Sequence, residues 1–126
     1  MELLMEIAIR IKGSQFVAGH TKDICMIEFD GTATGPHFNG EVIGTGVDTQ
    51  KIEKTKEMAL SARYMLEGKD SAGNACRIFI ENNGMDFDNC KPTVYTNSPL
   101  LADWETSDLT AKVIPQEGGV KIQVYR

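Results

Sequence analysis

The stretch ARYMLEGKDSAGNACRIFIEN, Ala62 to Asn82, satisfies both of its faces when it is folded back on itself about Ser71-Ala72-Gly73. A three-residue hairpin loop needs its last residue in the left-handed conformation, which Gly73 supplies. Asp70 then faces Asn74. Counting outward, Glu67 stands opposite Arg77 and Arg63 opposite Glu81, two opposite-charge pairs on one face. On the other face Leu66 meets Ile78, Tyr64 meets Ile80 and Ala62 meets Asn82. A slip of one residue would exchange the two faces, so charge and apolar pairs together select one antiparallel register. Arg63 is expected to point outward as an ion-pair partner, and an exposed pair of this kind contributes only ~0.2–1 kcal/mol.

The same period of two recurs along the chain. EIAIRIKG places Ile7, Ile9 and Ile11 on one face, and ICMIEFDG follows, ending on an Asp30-Gly31 turn signal. TAKVIPQEGGVKIQVYR predicts a hairpin about Gly118 and Gly119, with Val120, Ile122 and Val124 on one side. Short alternating strands separated by turn signals point to an all-β sandwich or barrel. Met85 to Asp108 differs. It is acidic, holds Pro92 and Pro99, and alternates poorly, so it reads as a long irregular excursion. Within it, one short strand is expected near Thr93 to Asn97 and a helical turn from Ser98 or Pro99 toward Trp104. With 126 residues, the expectation is one domain, 1–126, forming a single antiparallel β-barrel of about eight strands.

Composition removes several functions. The net charge is −5 and no run of five basic residues occurs, so neither a nucleic acid nor an anionic membrane is an expected partner. The N-terminal MELLMEIAIRIKG has no basic region before its apolar part, and Glu2 and Glu6 interrupt it, unlike a secretory leader. No apolar run reaches transmembrane length, and the cytoplasm is the expected location. Cys25, Cys76 and Cys90 are odd in number and lack C-x-x-C spacing, the pattern of reduced thiols. No metal site is expected. His20 and His37 lack ligand neighbours, and DFDNC, which begins like a calcium loop, puts Cys90 where a third ligand belongs. No cofactor is expected either, since GTGVDT lacks the third glycine of a dinucleotide fingerprint.

The order FNGEVIGTGVDTQ, ARY, DSAG, IFIENNG and a Trp-containing tail resembles a bacterial and fungal family of small proteins catalogued as domain of unknown function three-two-three-seven. Gly40 and Val42, then Gly46 and Asp48, match its first block. Ala62, Arg63 and Tyr64 match the second, and Asp70, Gly73, Ile78, Ile80, Asn82 and Gly84 the third. The resemblance runs from about Gly35 to the C-terminus. Thr45 stands in place of the first glycine of a Gly-Gly pair, Thr49 where an aromatic is common, and Ser71-Ala72 are inserted in the turn. The resemblance implies a closed or nearly closed antiparallel β-barrel and no established activity.

Within such a barrel the segment GEVIGTGVDTQ, Gly40 to Gln50, singles itself out. Val42, Gly44, Gly46, Asp48 and Gln50 share one face. Either the glycines let the strand coil at a barrel corner, or they leave lumen volume through which a ligand reaches Asp48 and Gln50. Asp48 either caps a strand end or forms the polar end of a pocket, where burial would raise its pKa toward that of a usable general acid or base. In the pocket reading Asp48 is the catalytic group, and Gln50, Tyr64 and Asn82 hold the ligand. His37 stands at the rim, and Trp104 either stacks on the ligand at the mouth or plugs a barrel end as core. The expected function is binding of a small organic molecule, with acid/base chemistry an open question. The alternative is a non-catalytic structural or interaction barrel, its lumen filled by Phe38, Tyr64, Ile78 and Ile80. Ile43, Val47, Met65 and Phe79 would make an apolar outer face, which predicts a homodimer or a helix and loop cover over that side.

Overall fold

The computed structural model describes residues 1–126. Eight strands follow in order: β1 (Leu3–Ala18), β2 (Lys22–Thr34), β3 (Phe38–Glu53), β4 (Met58–Asp70), β5 (Ala75–Gly84), β6 (Lys91–Thr96), β7 (Thr110–Gln116) and β8 (Gly119–Tyr125). They form one sheet in the order β6-β5-β4-β3-β2-β1-β8-β7, with every neighbouring pair antiparallel. The sheet curls until its two end strands approach. There Cys90 and Ala111 exchange backbone hydrogen bonds of 3.1 and 2.9 Å, and the Val113 amide donates to the Phe87 carbonyl at 2.7 Å. The fold is therefore an all-β antiparallel barrel, joined at its seam by a single bridge.

The β4–β5 hairpin has the register its sequence predicts. Leu66 pairs with Ile78, Tyr64 with Ile80, Ala62 with Asn82, Glu67 with Arg77 and Arg63 with Glu81. Gly73 has φ +81°. Arg63 Nε lies 3.3 Å from Glu81 Oε1 on the outer face, and Arg77 Nε 2.8 Å from Glu67 Oε2.

One local expectation is corrected. Asp30-Gly31 is not a turn. It lies inside β2, where the register against β3 shifts between Phe29 and Thr32, and the chain reverses only at 35–37. Pairing with β1 on the other side continues unbroken through Asp30 and Gly31, so the strand continues through a bulge instead of ending. The excursion from 85 to 108 holds the short strand and the helical turn expected within it. It contributes β6 at Lys91–Thr96 and a 3-10 turn at Ala102–Glu105.

The 3-10 turn closes one end of the barrel. Trp104 is buried there, as are Leu101 and Leu109 on either side of the turn. The 35–37 turn reaches the same end, where the His37 and Trp104 rings meet edge to face at 6.0 Å. The 71–74 turn is tied down beside them. The Asp70 carboxylate accepts from the amides of Ala72 and Asn74 and from the Ser98 hydroxyl, at 2.8 to 3.1 Å. Next to this plug the lumen is packed solid: Phe38, Leu66, Ile78 and Ile80 have no exposed surface. The turns at 19–21, 54–57 and 117–118 and the 85–90 connection lie at the opposite end, where Phe87 packs against the core.

Candidate functional site

A cavity of about 160 Å³ occupies the half of the lumen away from Trp104. Most of its wall is apolar, from residues such as Ile11, Ile27, Leu60, Phe87 and Val120. Asp48, Gln50 and Asn82 provide its polar side chains. Strand geometry explains their convergence. Asp48 and Gln50 are two residues apart on β3 and so share a face. Asp48 pairs with Ala62 of β4, and Ala62 pairs with Asn82 of β5. The methyl side chain of Ala62 leaves open space between a carboxylate and an amide that stand two strands apart.

The polar groups are incompletely satisfied. Gln50 Nε2 donates to Asp48 Oδ2 at 3.1 Å. Asp48 Oδ1, Asn82 Oδ1 and the Tyr64 hydroxyl are buried and have no hydrogen-bond partner. Burial pushes the Asp48 carboxyl above its ordinary range, opposed by the Gln50 hydrogen bond and by the backbone at Ser61. Burial likewise raises the Tyr64 phenol, with the nearby Cys90 adding to the effect. Orphaned buried polar atoms are uncommon in folded proteins, because each forfeits its hydration without compensation.

The sequence-predicted residues divide into two groups. Asp48, Gln50 and Asn82 come together on the cavity. Tyr64 lies just behind its wall, its ring edge to face with Phe29 at 5.3 Å, and Phe29 itself lines the cavity. His37 and Trp104 are not brought here. They pack against each other at the plugged end, and His37 Nε2 sits 3.1 Å from Glu2 Oε2. Trp104 therefore takes the core alternative, since its ring is needed to close the barrel where the 3-10 turn crosses it.

The two glycines of β3 do not make lumen space. A Cβ on Gly46 would stand 2.4 Å from the Phe29 ring, so the missing side chain is replaced by Phe29 and not by a ligand. Gly44 has φ +62° and faces open space, within a bulge where the register against β4 shifts between Ile43 and Val47. Gly44 serves the bend of the strand and Gly46 the packing of Phe29. Sequence reasoning missed Phe87 and Cys90. Phe87 lines the cavity from the 85–90 connection. The buried Cys90 thiol donates to the Asp86 carbonyl at 3.2 Å, and its pKa is raised by burial first, then by the charge of Asp86, with Asn82 opposing. Neither lies on an alternating strand, so the period of two carries no signal for them. All three cysteines are free thiols.

Residues 1–93 match the sequence profile of the family described as protein of unknown function (DUF3237). The chain belongs to this family. The match takes in the N-terminal strands and ends at Thr93, whereas the motifs suggest likeness from Gly35 onward. A UPF0311 protein of Clostridium acetobutylicum is 36% identical over 73 residues, 58% of this chain and 42% of the relative. In that alignment the chain spans less than half the length of the relative. Among solved structures, a protein of unknown function from Clostridium acetobutylicum superposes with a TM-score of 0.84 at 22% identity, covering 98% of this chain and 95% of the other. A β-barrel-like protein from Acinetobacter baumannii gives a TM-score of 0.80 at 15% identity, covering 98% and 92%. A protein described as an enzyme, from Penicillium herquei, gives 0.75 at 15%, also covering 98% and 92%. These likenesses are ones of fold: the chain shares its barrel architecture with these proteins.

Proposed function

We propose that this single-domain barrel binds a small, largely apolar organic molecule in its open half, acting in the cytoplasm, with Asp48 as the group that exchanges a proton with it. The observation that carries this reading is the set of unpartnered polar atoms beside an apolar cavity: Asp48 Oδ1, Asn82 Oδ1 and, one layer behind, the Tyr64 hydroxyl. An apolar pocket with a few convergent polar groups is the usual form of a small-molecule site. Apolar cavities of ~150 Å³ accept a ligand the size of benzene. The space beside Asp48 therefore suits one ring or a short branched chain, the rest of a larger ligand extending through the open end.

A carboxyl held above its ordinary range keeps more of its protonated form as the pH approaches neutrality. It can then donate a hydrogen bond or proton to a ligand carbonyl and take one back from a hydroxyl or activated carbon. Gln50 and Asn82 amides would orient that oxygen. Where binding alone occurs, the same groups fix orientation and no proton moves. The structural relative from Penicillium herquei is described as an enzyme, but the likeness to it is one of fold, so the chemistry proposed here rests on Asp48. No helix is long and apolar enough to cross a membrane.

The filled-core alternative has support in the other half of the lumen, where Phe38, Tyr64, Ile78 and Ile80 are all buried. That half is structural. A thermal-shift screen of a metabolite library separates the two readings, because a ligand that binds only the native state raises its melting temperature. Binding in the cavity predicts compounds that stabilise the wild type and lose that effect with Asp48→Asn. A library that stabilises both proteins equally, or neither, overturns the assignment of Asp48.

A further inference from the structure

β1 outruns its partner β8. Its pairing with β8 ends at Arg10 and Gly119, and the Ile11 amide makes the last contact, donating to the Gly118 carbonyl at 3.0 Å. From Gly13 to Ala18 the strand is paired on one side only, with β2. A strand edge of this kind presents unpaired amides and carbonyls and invites another strand.

The other edges of the sheet are guarded, and this one is not. β6 carries Lys91 and Pro92, β7 carries Lys112 and Pro115, and the two edges face each other across the Cys90–Ala111 bridge. Lysine and proline are the usual devices that stop edge-to-edge pairing. Gly13-Ser14-Gln15-Phe16-Val17-Ala18 contains neither, and no charge. It also exposes Phe16 (62%) and Val17 (57%), among the most exposed large apolar residues of the chain.

We propose that a second copy of this chain pairs antiparallel along the Gly13–Ala18 edge of β1, joining the two sheets across a two-fold axis. The occupant follows from symmetry. An antiparallel pair of identical strands is self-complementary, because residue i meets j while j meets i. A two-fold axis normal to the sheet keeps the inner faces of both copies on the same side, so residues of equal parity meet. Ser14, Phe16 and Ala18 share the inner face, since they pair with Ile27, Cys25 and Asp23 of β2. Ile27 in turn pairs with Asp48, and Cys25 with Gln50. Pairing thus covers Phe16 with the same segment of the partner and extends the wall beside the open end of the cavity. The interface requires no ligand and is independent of the proposed binding function.

The test is sedimentation velocity from low to high micromolar concentration, with amide hydrogen exchange on the same samples. The wild type is expected to reach twice the chain mass, with protection of amides in 13–18 that grows with concentration. Phe16→Lys/Val17→Lys is expected to stay at one chain mass with its thermal transition retained, while Phe79→Lys on the outer face still dimerises. A wild type that stays at one chain mass, a dimer that survives the double substitution, or one lost only in Phe79→Lys overturns the proposal. Should the double variant fail to fold, wild-type exchange decides, and amides 13–18 that gain no protection with concentration refute the edge pairing.

Discussion

Asp48 is a carboxyl held where its charged form is disfavoured, and this has a consequence for stability that needs no ligand to observe. Its folded pKa is raised by burial, above an unfolded value of ~3.9. Between those two values the native state binds more protons than the unfolded state, so this group's contribution falls as the pH rises through the window. Above the folded pKa the full penalty of an ionised, half-satisfied carboxylate remains; below the unfolded pKa it vanishes. Asp48→Asn removes the charge at nearly constant volume, and the new amide oxygen can still accept from Gln50. The substitution is expected to raise the melting temperature at pH 7, with a gain that shrinks toward zero near pH 4. Differential scanning calorimetry across that range checks it, and a gain independent of pH would place its origin outside titration. The residue scale also shows where sequence reading stops. That Asp48 and Gln50 share a face is a matter of counting. That the Phe29 ring fills the gap over Gly46 is not, since Phe29 lies on another strand and only the β2–β3 register brings the two together.

In the β4–β5 hairpin, local conformation outweighs surface charge. The Arg63–Glu81 pair is exposed on the Arg side (66%) and bridges at 3.3 Å, so solvent screens most of its attraction. Gly73 at φ +81° instead meets a steric demand that any L-side chain violates, at a cost of about 1–2 kcal/mol. Gly73→Ala is therefore expected to destabilise by about that amount, while Arg63→Ala costs ~0.2–1 kcal/mol. Urea unfolding of the two variants measures both, and a larger loss from Arg63→Ala would reverse the ranking. This hairpin was the most legible element because its information is local: a glycine at the loop and two faces that constrain each other. The β2 bulge is illegible in the sequence for the opposite reason. Asp30-Gly31 has turn chemistry, but β1 and β3 pair with β2 on both sides of it and hold the chain extended. Tertiary pairing overrode a local preference. β6 begins within two residues of the expected Thr93 despite Pro92, since one proline is tolerated at the start of a strand on the sheet edge.

Across the whole molecule, the barrel has two unlike ends, and the sequence announces neither. Alternation marks which residues face inward but not how deep they lie along the axis, and so it carries no sign that His37 and Trp104 lie at the end opposite Asp48. At that end Trp104 is almost wholly buried and meets His37 edge to face, and the elements beside it are joined through Asp70 and Ser98. The far end has the cavity, the unpartnered Asp48 and Asn82 oxygens and the Gly13–Ala18 edge of β1. Under the proposed function, stability and binding belong to different ends, and the chain's one tryptophan reports on the first alone. Trp104 emission is expected to be blue-shifted, as for an indole away from water, and poorly quenched by acrylamide. Trp104→Ala should cost about 3–5 kcal/mol, the range for deleting a buried aromatic ring. A compound that stabilises the protein through the Asp48 cavity should raise the unfolding temperature and leave the native emission spectrum unchanged, because the packed layer of Phe38, Leu66, Ile78 and Ile80 stands between them. A ligand that quenches or shifts Trp104 while still stabilising Asp48→Asn would move the site to the plugged end, beside His37, and would make the cavity a packing defect.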